Sequence, residues 1–205
     1  MTTPRMRARN KRGEGAQLRD EIVDAAMRLL EDGTPQNVTL RGIARQAGIS
    51  APSIYPHFPD LDSILLAVAQ RAFGILEQEL GAPDDADPVE RLRAICAAYL
   101  TFAERRPQQY RLMFGAVWDA GQALERAPGM ADELSVLGMG AFEIFRRTLA
   151  DCVAAGRSAS ADPFRDASAL WVALHGFAQL QVAAPLFPWP PELRDSVIDR
   201  MALLR

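Results

Sequence analysis

Apolar residues recur at intervals of three and four along nearly the whole chain, and glycine or proline interrupts the pattern at short distances. Residues with this spacing share one face of an α-helix. Gly33 and Gly48 mark natural helix ends, because glycine adopts a positive φ without strain. The pattern predicts about nine helices, at residues 17–32, 39–48, 50–58, 61–80, 88–105, 107–117, 130–155, 163–183 and 190–204.

The composition agrees with a helical chain. Its 34 alanines and 23 leucines outnumber the 10 valines, 9 isoleucines and 6 threonines by more than two to one. Alanine and leucine favour helices, whereas β-branched residues favour strands. We therefore expect an all-α fold class and exclude an all-β one.

The charge is unevenly distributed. The net charge is −3, but residues 1–60 hold nine basic and seven acidic side chains. The basic excess lies in the first twelve residues, at Arg5, Arg7, Arg9, Lys11 and Arg12. Residues 1–16 are predicted to form a flexible basic arm, which either lies along a phosphate backbone or remains a solvated tail.

The cysteines and the apolar segments indicate in which cellular compartment the protein is expected. Cys96 and Cys152 have no CxxC partner, so we interpret them as reduced core thiols, with a redox-sensing pair as the alternative. No apolar run reaches the roughly 18 residues of a membrane span. The basic N-terminus is not followed by an uninterrupted hydrophobic core, so it does not resemble a secretory signal. We expect a soluble cytoplasmic protein without a membrane partner.

Two short predicted helices joined by AGIS have the pattern of a helix-turn-helix. Thr39 stands at the N-cap of the first helix, and Ser50 opens the second. Small exposed residues let the second helix enter a DNA major groove, where hydroxyl groups reach bases or phosphates. The spacing alone is weak evidence, because many helical proteins contain such corners.

The residues themselves are more specific. The segment TLRGIARQAGISAPSIYPHFPDLDSILLAV resembles the DNA-binding segment of the TetR family of bacterial transcriptional regulators, closely over residues 39–66. Residues 17–33 resemble that family's first helix. The resemblance implies a helix-turn-helix domain at residues 17–62 and a helical ligand-binding and dimerisation domain at residues 63–205.

The resemblance also implies roles for individual residues. Thr39 would contact a phosphate, and Arg41 the backbone or a guanine edge. Tyr55 and His57 would lie on the phosphate backbone, although Tyr55 and Phe58 can instead fill the small core of the three helices. The DNA-facing set of the second helix is Ser50, Ala51, Pro52, Ser53, Tyr55 and His57.

Two positions depart from the family pattern. Leu61 stands where a lysine usually contacts a phosphate, which puts one contact in doubt. Pro56 removes a helix hydrogen bond and disfavours the α conformation for Tyr55, so the second helix is predicted to be short or bent there.

A single short helix contacts too few base pairs for a unique site, so we expect a homodimer on a palindromic operator. The stretch W-x-x-x-H-G at Trp171 resembles the C-terminal domain of a TetR branch named for its Trp, His and Gly. The predicted dimer interface comprises Leu170, Leu174, Phe177, Ala178, Gln181, Val197 and Met201.

Aromatic residues concentrate from Tyr99 onward, where the resemblance implies a site for a small effector. Such sites are mostly apolar with a few polar anchors, and these residues can equally form plain core. We expect an apolar or weakly polar, aromatic ligand at Tyr99, Phe102, Tyr110, Met113, Phe114, Trp118, Phe145, Trp171 and His175.

The predicted function is a DNA-binding transcriptional regulator, a repressor that a small ligand releases. An activator or a ligand-independent regulator of the same fold, and a helical small-molecule carrier, remain alternatives. No catalytic motif such as HExxH, G-x-S-x-G or a P-loop is present, so no enzyme is expected. Only two histidines occur in the chain, and neither a metal nor another cofactor is expected.

Overall fold

The computed structural model describes residues 15–33, 38–81, 87–114 and 118–205, and within them the chain is all-helical. The α-helices are α1 (Gly15–Asp32), α2 (Leu40–Ala47), α3 (Leu61–Glu79), α4 (Pro88–Arg105), α5 (Pro107–Met113), α6 (Ala120–Arg126), α7 (Ala131–Ser135), α8 (Met139–Ala154), α9 (Pro163–Ala183) and α10 (Leu193–Met201). The only extended pairing in these ranges is a single bridge between Ser158 and Leu204. The all-α prediction is confirmed.

The helix ends follow from local chemistry. Asp87 caps α4, because its carboxylate accepts hydrogen bonds from the backbone N–H groups of Val89 and Glu90 at 3.0 and 3.3 Å. Asp162 caps α9 in the same way, through the N–H of Arg165 at 3.1 Å. In both helices proline follows the cap, where a missing N–H costs nothing.

One helix prediction required correction, and one helix was missed. The helix expected over residues 130–155 is two helices, α7 and α8, separated by Gly138 at φ +79°. A Cβ at Gly138 would lie 2.8 Å from Cε1 of Phe73, so any other residue would force that ring to shift and would strain the positive φ. Helix α6 was not predicted.

The chain divides into two compact units. The first comprises Met1–Ala72 and Gln108–Leu137. Its core contains side chains of α1, α2, the turn after α2, the first half of α3 and α5. Fully buried examples are Ile22, Ile43, Ile54, Ile64 and Leu112. The division of function at residues 62 and 63 stays a prediction.

The second unit comprises Phe73–Pro107 and Gly138–Arg205. Its core contains aromatic rings of α4, α8 and α9. Tyr99 lies 6.0 Å from Phe145 and 5.4 Å from Trp171 between ring centroids, and Phe145 lies 5.2 Å from Trp171. Such tilted and edge-to-face arrangements suit the ring quadrupoles and pack a core densely.

Candidate nucleic-acid interface

Helix α2 and the turn after it have the geometry of a helix-turn-helix. Thr39 has an extended backbone, and its hydroxyl oxygen accepts a hydrogen bond from the N–H of Gly42 at 3.1 Å. At the other end Gly48 adopts the left-handed conformation at φ 68° and ψ 31°, which reverses the chain direction. Ile49 then donates its N–H to the carbonyl of Ala44 at 3.0 Å and closes the helix end.

The second helix of the motif is short, as Pro56 predicted. Residues Ala51–Ser53 form one turn of 3₁₀-helix, and hydrogen-bonded turns continue to His57. Ile54 donates to the carbonyl of Ala51 at 3.1 Å, and Phe58 donates to the carbonyl of Ile54 at 3.0 Å. Proline at position 56 has no N–H to continue the series, so no α-helix forms here.

This segment separates buried anchors from exposed polar groups. Ile54 and Phe58 are 0% and 2% exposed and fix the segment to the core of the first unit. Tyr55, by contrast, is 57% exposed, so Phe58 fills the core and Tyr55 does not. The predicted DNA-facing residues line the surface: Ser50 and Pro52 are exposed, and Ala51, Ser53 and His57 are half-buried.

Hydroxyl groups and cations surround this segment. The hydroxyls of Ser50 and Ser53 lie 2.7 Å apart, which orients both side chains on one side of the turn. Arg41 is exposed on α2, and so is Arg45 one turn later. Arg45 was not predicted, although its spacing of four from Arg41 places the two guanidinium groups on the same face. The arm residues Arg5, Arg7, Arg9, Lys11 and Arg12 lie outside the described residues.

The start of α3 carries a polar cluster that the sequence did not reveal. Asp62 accepts a hydrogen bond from the indole N–H of Trp118 at 3.0 Å and two from the guanidinium of Arg126, at 2.8 and 2.9 Å. The hydrogen bonds from Arg126 hold the pKa of Asp62 below its usual value. Leu61, where the family usually has lysine, is half-buried against the apolar core.

The structure divides the predicted ligand residues between the two units. Tyr110, Met113, Phe114 and Trp118 belong to the first unit, where Tyr110 and Phe114 are in ring contact at 4.7 Å. Tyr99, Phe102 and Phe145 are fully buried in the second unit. Trp171 and His175 are half-buried on α9, and burial lowers the pKa of His175.

Two cavities of the second unit lie elsewhere, between α9, α10, α4 and the segment after α9. One of about 170 Å³ is lined by Ala173, Phe177, Leu180, Gln181, Trp189, Leu193 and Val197. Another of about 380 Å³ is lined by Ala97, Leu100, Thr101, Glu104, Phe177, Gln181, Trp189, Pro190, Pro191 and Arg194. No residue of the predicted ligand set lines either of these two cavities.

The predicted dimer residues also have different environments. Leu170 and Leu174 are 0% and 1% exposed within the chain, so their side chains offer no surface to a second copy. Phe177, Gln181 and Val197 line the smaller cavity, and Ala178 and Met201 are half-buried. Ala169, Val172 and Leu180 are exposed on α9, and the half-buried Gly176 lies on the same face.

The two cysteines are not part of this surface. Cys96 and Cys152 are buried free thiols, and burial raises their pKa values to about 12 and about 11. Within the described ranges no group of three or more His, Cys, Asp or Glu could hold a metal ion. None of the helices described there is long and apolar enough to cross a membrane.

Comparison with known proteins identifies relatives of both parts of the chain. Residues 22–68 match the family model of bacterial regulatory proteins of the tetR family, and residues 92–203 match the tetracyclin repressor-like C-terminal domain. The nucleoid occlusion factor SlmA of Vibrio vulnificus strain YJ016 is 32% identical over 106 residues, which is 47% of this chain and 51% of SlmA. The chain thus spans about half the length of the curated relatives it matches.

Solved structures extend the similarity to the whole fold. A protein of unknown function from Rhodococcus sp. RHA1 is 27% identical with a TM-score of 0.72, over 92% of this chain and 96% of that one. A TetR family protein from Vibrio parahaemolyticus is 18% identical with a TM-score of 0.68, over 92% and 99%. SmeT, the repressor of the Stenotrophomonas maltophilia multidrug efflux pump SmeDEF, is 21% identical with a TM-score of 0.63, over 91% and 90%.

The C-terminal family model alone covers more than half of the 205 residues, and the N-terminal model covers the helix-turn-helix. The chain therefore belongs to the TetR family of transcriptional regulators.

Proposed function

We propose that this chain is a cytoplasmic transcriptional repressor that binds a palindromic DNA operator as a homodimer and is released by a small ligand. The observation that carries the proposal is the exposed surface of residues 50–57, where small and hydroxyl side chains project from a segment that Ile54 and Phe58 anchor. Nearby exposed arginines on α2 supply positive charge toward phosphates. We also propose that the C-terminal domain is of the Trp-His-Gly type, because Trp171, His175 and Gly176 resemble the residues that name that branch.

The DNA contacts follow from side-chain chemistry. The phenol of Tyr55, more than half exposed, donates a hydrogen bond to a phosphate oxygen, and Arg41 neutralises a phosphate. Pro52 and Ser53 face the base edges, where Ser53 discriminates bases through its hydroxyl. Because the segment is short, each half-site contains few specific contacts, and affinity depends on the two half-sites together.

The DNA-binding proposal is tested by selecting double-stranded oligonucleotides from a random library with the purified chain. We expect an inverted repeat with half-sites one helical turn apart. Tyr55→Phe removes only the phenolic hydroxyl and is expected to weaken binding about tenfold, equivalent to one charge-assisted hydrogen bond. Ser168→Ala, which removes a hydroxyl from α9, serves as the control. Failure to enrich any sequence would favour the small-molecule carrier instead.

The dimer is proposed to form through the outward face of α9. Val172 and Leu180 are 70% and 51% exposed, and Ala169 and Gly176 on the same face allow close helix approach. Val172→Glu places a charge in the proposed interface and is expected to give a monomer by sedimentation velocity, with operator affinity reduced. Val136→Glu is the matched control, since Val136 is 64% exposed in the first unit. A Val172→Glu chain that remains dimeric would place the interface elsewhere.

Repression and release need separate tests. A reporter gene placed behind the selected operator distinguishes repression from activation by the direction of the change. Release by a ligand requires that the ligand bind more tightly to a conformation with low operator affinity. A compound that binds without altering operator affinity would support a ligand-independent regulator.

A further inference from the structure

The start of α1 lies against the end of residues 50–58, the segment proposed to face DNA. The guanidinium carbon of Arg19 lies over the Phe58 ring, 4.8 Å from its centroid, which is within the range of a cation–π contact. One helical turn earlier, a Cβ at Gly15 would lie 3.9 Å from Cε1 of His57. Two separate contacts therefore bring the first turns of α1 to the same end of this segment.

The contact with Phe58 holds the guanidinium by its face and leaves its N–H groups available. Phe58 is 2% exposed, so the core of the first unit fixes the position of its ring. A guanidinium is planar and carries its five N–H donors around its edge, so a ring under its face blocks none of them. Arg19 itself is exposed, and within the described ranges its guanidinium makes no hydrogen bond or ion pair.

The neighbouring carboxylates of α1 are already engaged by another cation. Asp20 accepts a hydrogen bond from Arg71 of α3 at 2.9 Å, and Asp24 accepts one from the same guanidinium. Arg71 thus balances acidic charge on α1, while the charge of Arg19 has no carboxylate partner in the described part of the chain. An exposed cation in a fixed position, beside hydroxyl and imidazole side chains, suits an anionic partner.

We propose that Arg19 binds a phosphate of the DNA backbone at the end of the DNA-facing segment. This contact rests on the proposed function, and it comes from α1, for which the sequence predicted no DNA-binding residue. The edge of the guanidinium donates to two oxygens of one phosphate while its face stays on Phe58. Because the ring orients Arg19 before DNA arrives, less side-chain entropy is lost on binding. Since α1 also reaches His57, both side chains serve the same stretch of backbone.

The contact is tested by salt titration of the full-length chain on a DNA duplex of fixed, arbitrary sequence, followed by fluorescence anisotropy. Arg19→Met keeps an apolar stem against Phe58 and removes the charge. The slope of log affinity against log salt concentration should fall by about 0.9 for each chain bound, and affinity at about 0.05 M salt should fall about tenfold. Arg19→Lys should restore the slope, but with weaker binding than the wild type, because an ammonium has no planar face or bidentate edge.

Arg28→Met is the matched control. Arg28 is also an exposed arginine of α1 without a hydrogen bond or ion pair in the described ranges, so its replacement removes the same charge. It lies nine positions after Arg19, half a turn round the helix, and its slope should equal that of the wild type. Thermal melting by circular dichroism checks that both variants fold. An unchanged slope in Arg19→Met, or equal losses in both variants, would overturn the proposal.

A duplex of arbitrary sequence separates this contact from the proposed function, because phosphate contacts carry no sequence information. If no operator is selected but the slope falls in Arg19→Met, the repressor proposal fails and the phosphate contact stands. If an operator is selected and Arg19→Met binds it with the wild-type slope, the contact fails and the repressor proposal stands. A wild-type chain that binds no duplex at low salt overturns both.

Discussion

Asp62 offers the sharpest test of how α3 is held within the first unit. Its carboxylate accepts hydrogen bonds from Trp118 and Arg126, residues more than fifty positions away in the chain. The Asp62 side chain is 18% exposed, whereas Arg126 is 54% exposed. The cluster therefore joins a largely buried carboxylate to a buried indole and to a guanidinium that solvent partly screens.

The magnitude follows from those contacts. Asp62→Asn keeps the shape of the side chain but removes the charge and one acceptor oxygen. A hydrogen bond to a charged group contributes about 1.5–3 kcal/mol, and an exposed ion pair about 0.2–1 kcal/mol. Because Arg126 is screened, we expect a total loss of about 1–2 kcal/mol in the free energy of unfolding. Asp132→Asn, an exposed carboxylate in α7 of the same unit, is the control and should be neutral.

Urea denaturation followed by circular dichroism measures the loss, and pH provides the second criterion. Arg126 lowers the pKa of Asp62 in the folded chain below the usual 3.8. The carboxylate's stabilisation is therefore fully present above pH 3.8 and disappears as the pH falls through the lower folded-state value. The difference between wild type and Asp62→Asn should be constant from about pH 6 to 8 and shrink below about pH 4.

A double-mutant cycle isolates the ion pair from the rest of the cluster. Arg126→Met keeps the aliphatic stem and removes the guanidinium. If the pair contributes as the geometry indicates, the two substitutions together cost measurably less than the sum of the single ones. Strict additivity, or an Asp62→Asn chain as stable as the wild type at neutral pH, would refute the structural argument.

Two further predictions concern charge. Leu61→Lys places a cation at the start of α3. If the dimer binds DNA as proposed, this lysine should steepen the dependence of log affinity on log salt concentration by about 0.9 per half-site. An unchanged slope in a salt titration would show that position 61 does not contact a phosphate. Burial lowers the pKa of His175 below 6.5 because it disfavours the charged imidazole. Above pH 6.5 this side chain therefore imposes no penalty, and the fold loses stability as the pH falls from there through the lower folded-state value. The melting temperature of His175→Gln should therefore depend less on pH between about pH 7 and 5 than that of the wild type. An equally steep dependence would show that His175 is not its cause.

Sequence predicted the fold where helix ends depend on nearby residues. Thr39, Gly48, Asp87 and Asp162 cap or terminate helices through hydrogen bonds to backbone groups no more than five positions away. Such signals are readable one segment at a time. The short helix-turn-helix was predicted for the same reason, because the missing N–H of Pro56 acts only on its own turn.

Tertiary contacts account for what sequence could not predict. The break at Gly138 coincides with the approach of Phe73, sixty-five positions earlier in the chain, and no local pattern contains that information. The cluster around Asp62 likewise depends on Trp118 and Arg126 folding back onto α3. A lone aspartate in the first turn of a helix is common, so the sequence gives no reason to single it out.

Helix α9 shows why the buried and exposed faces of a helix are hard to predict from its sequence. Apolar side chains occur all round this helix, so periodicity cannot tell its inward face from its outward face. The sequence prediction chose Leu170 and Leu174, which the chain buries itself, while Val172 and Leu180 remain exposed. Only the packing of neighbouring helices decides between the two faces.

The same packing explains why the two cavities are not lined by Tyr99, Phe145 or Trp171. Tyr99, Phe145 and Trp171 lie on three neighbouring helices at a spacing that lets their rings fill the space between them, so a high aromatic content there produces core. Residues 185–191 contain four prolines and form no helix, so that segment cannot pack into a groove as a helix does. With Trp189 fixed by its hydrogen bond to Ala184, the space beside α9 stays open. The rings of Tyr99, Phe145 and Trp171 therefore form core, while the smaller cavity lies where Trp189 of the 185–191 segment meets α9 and α10.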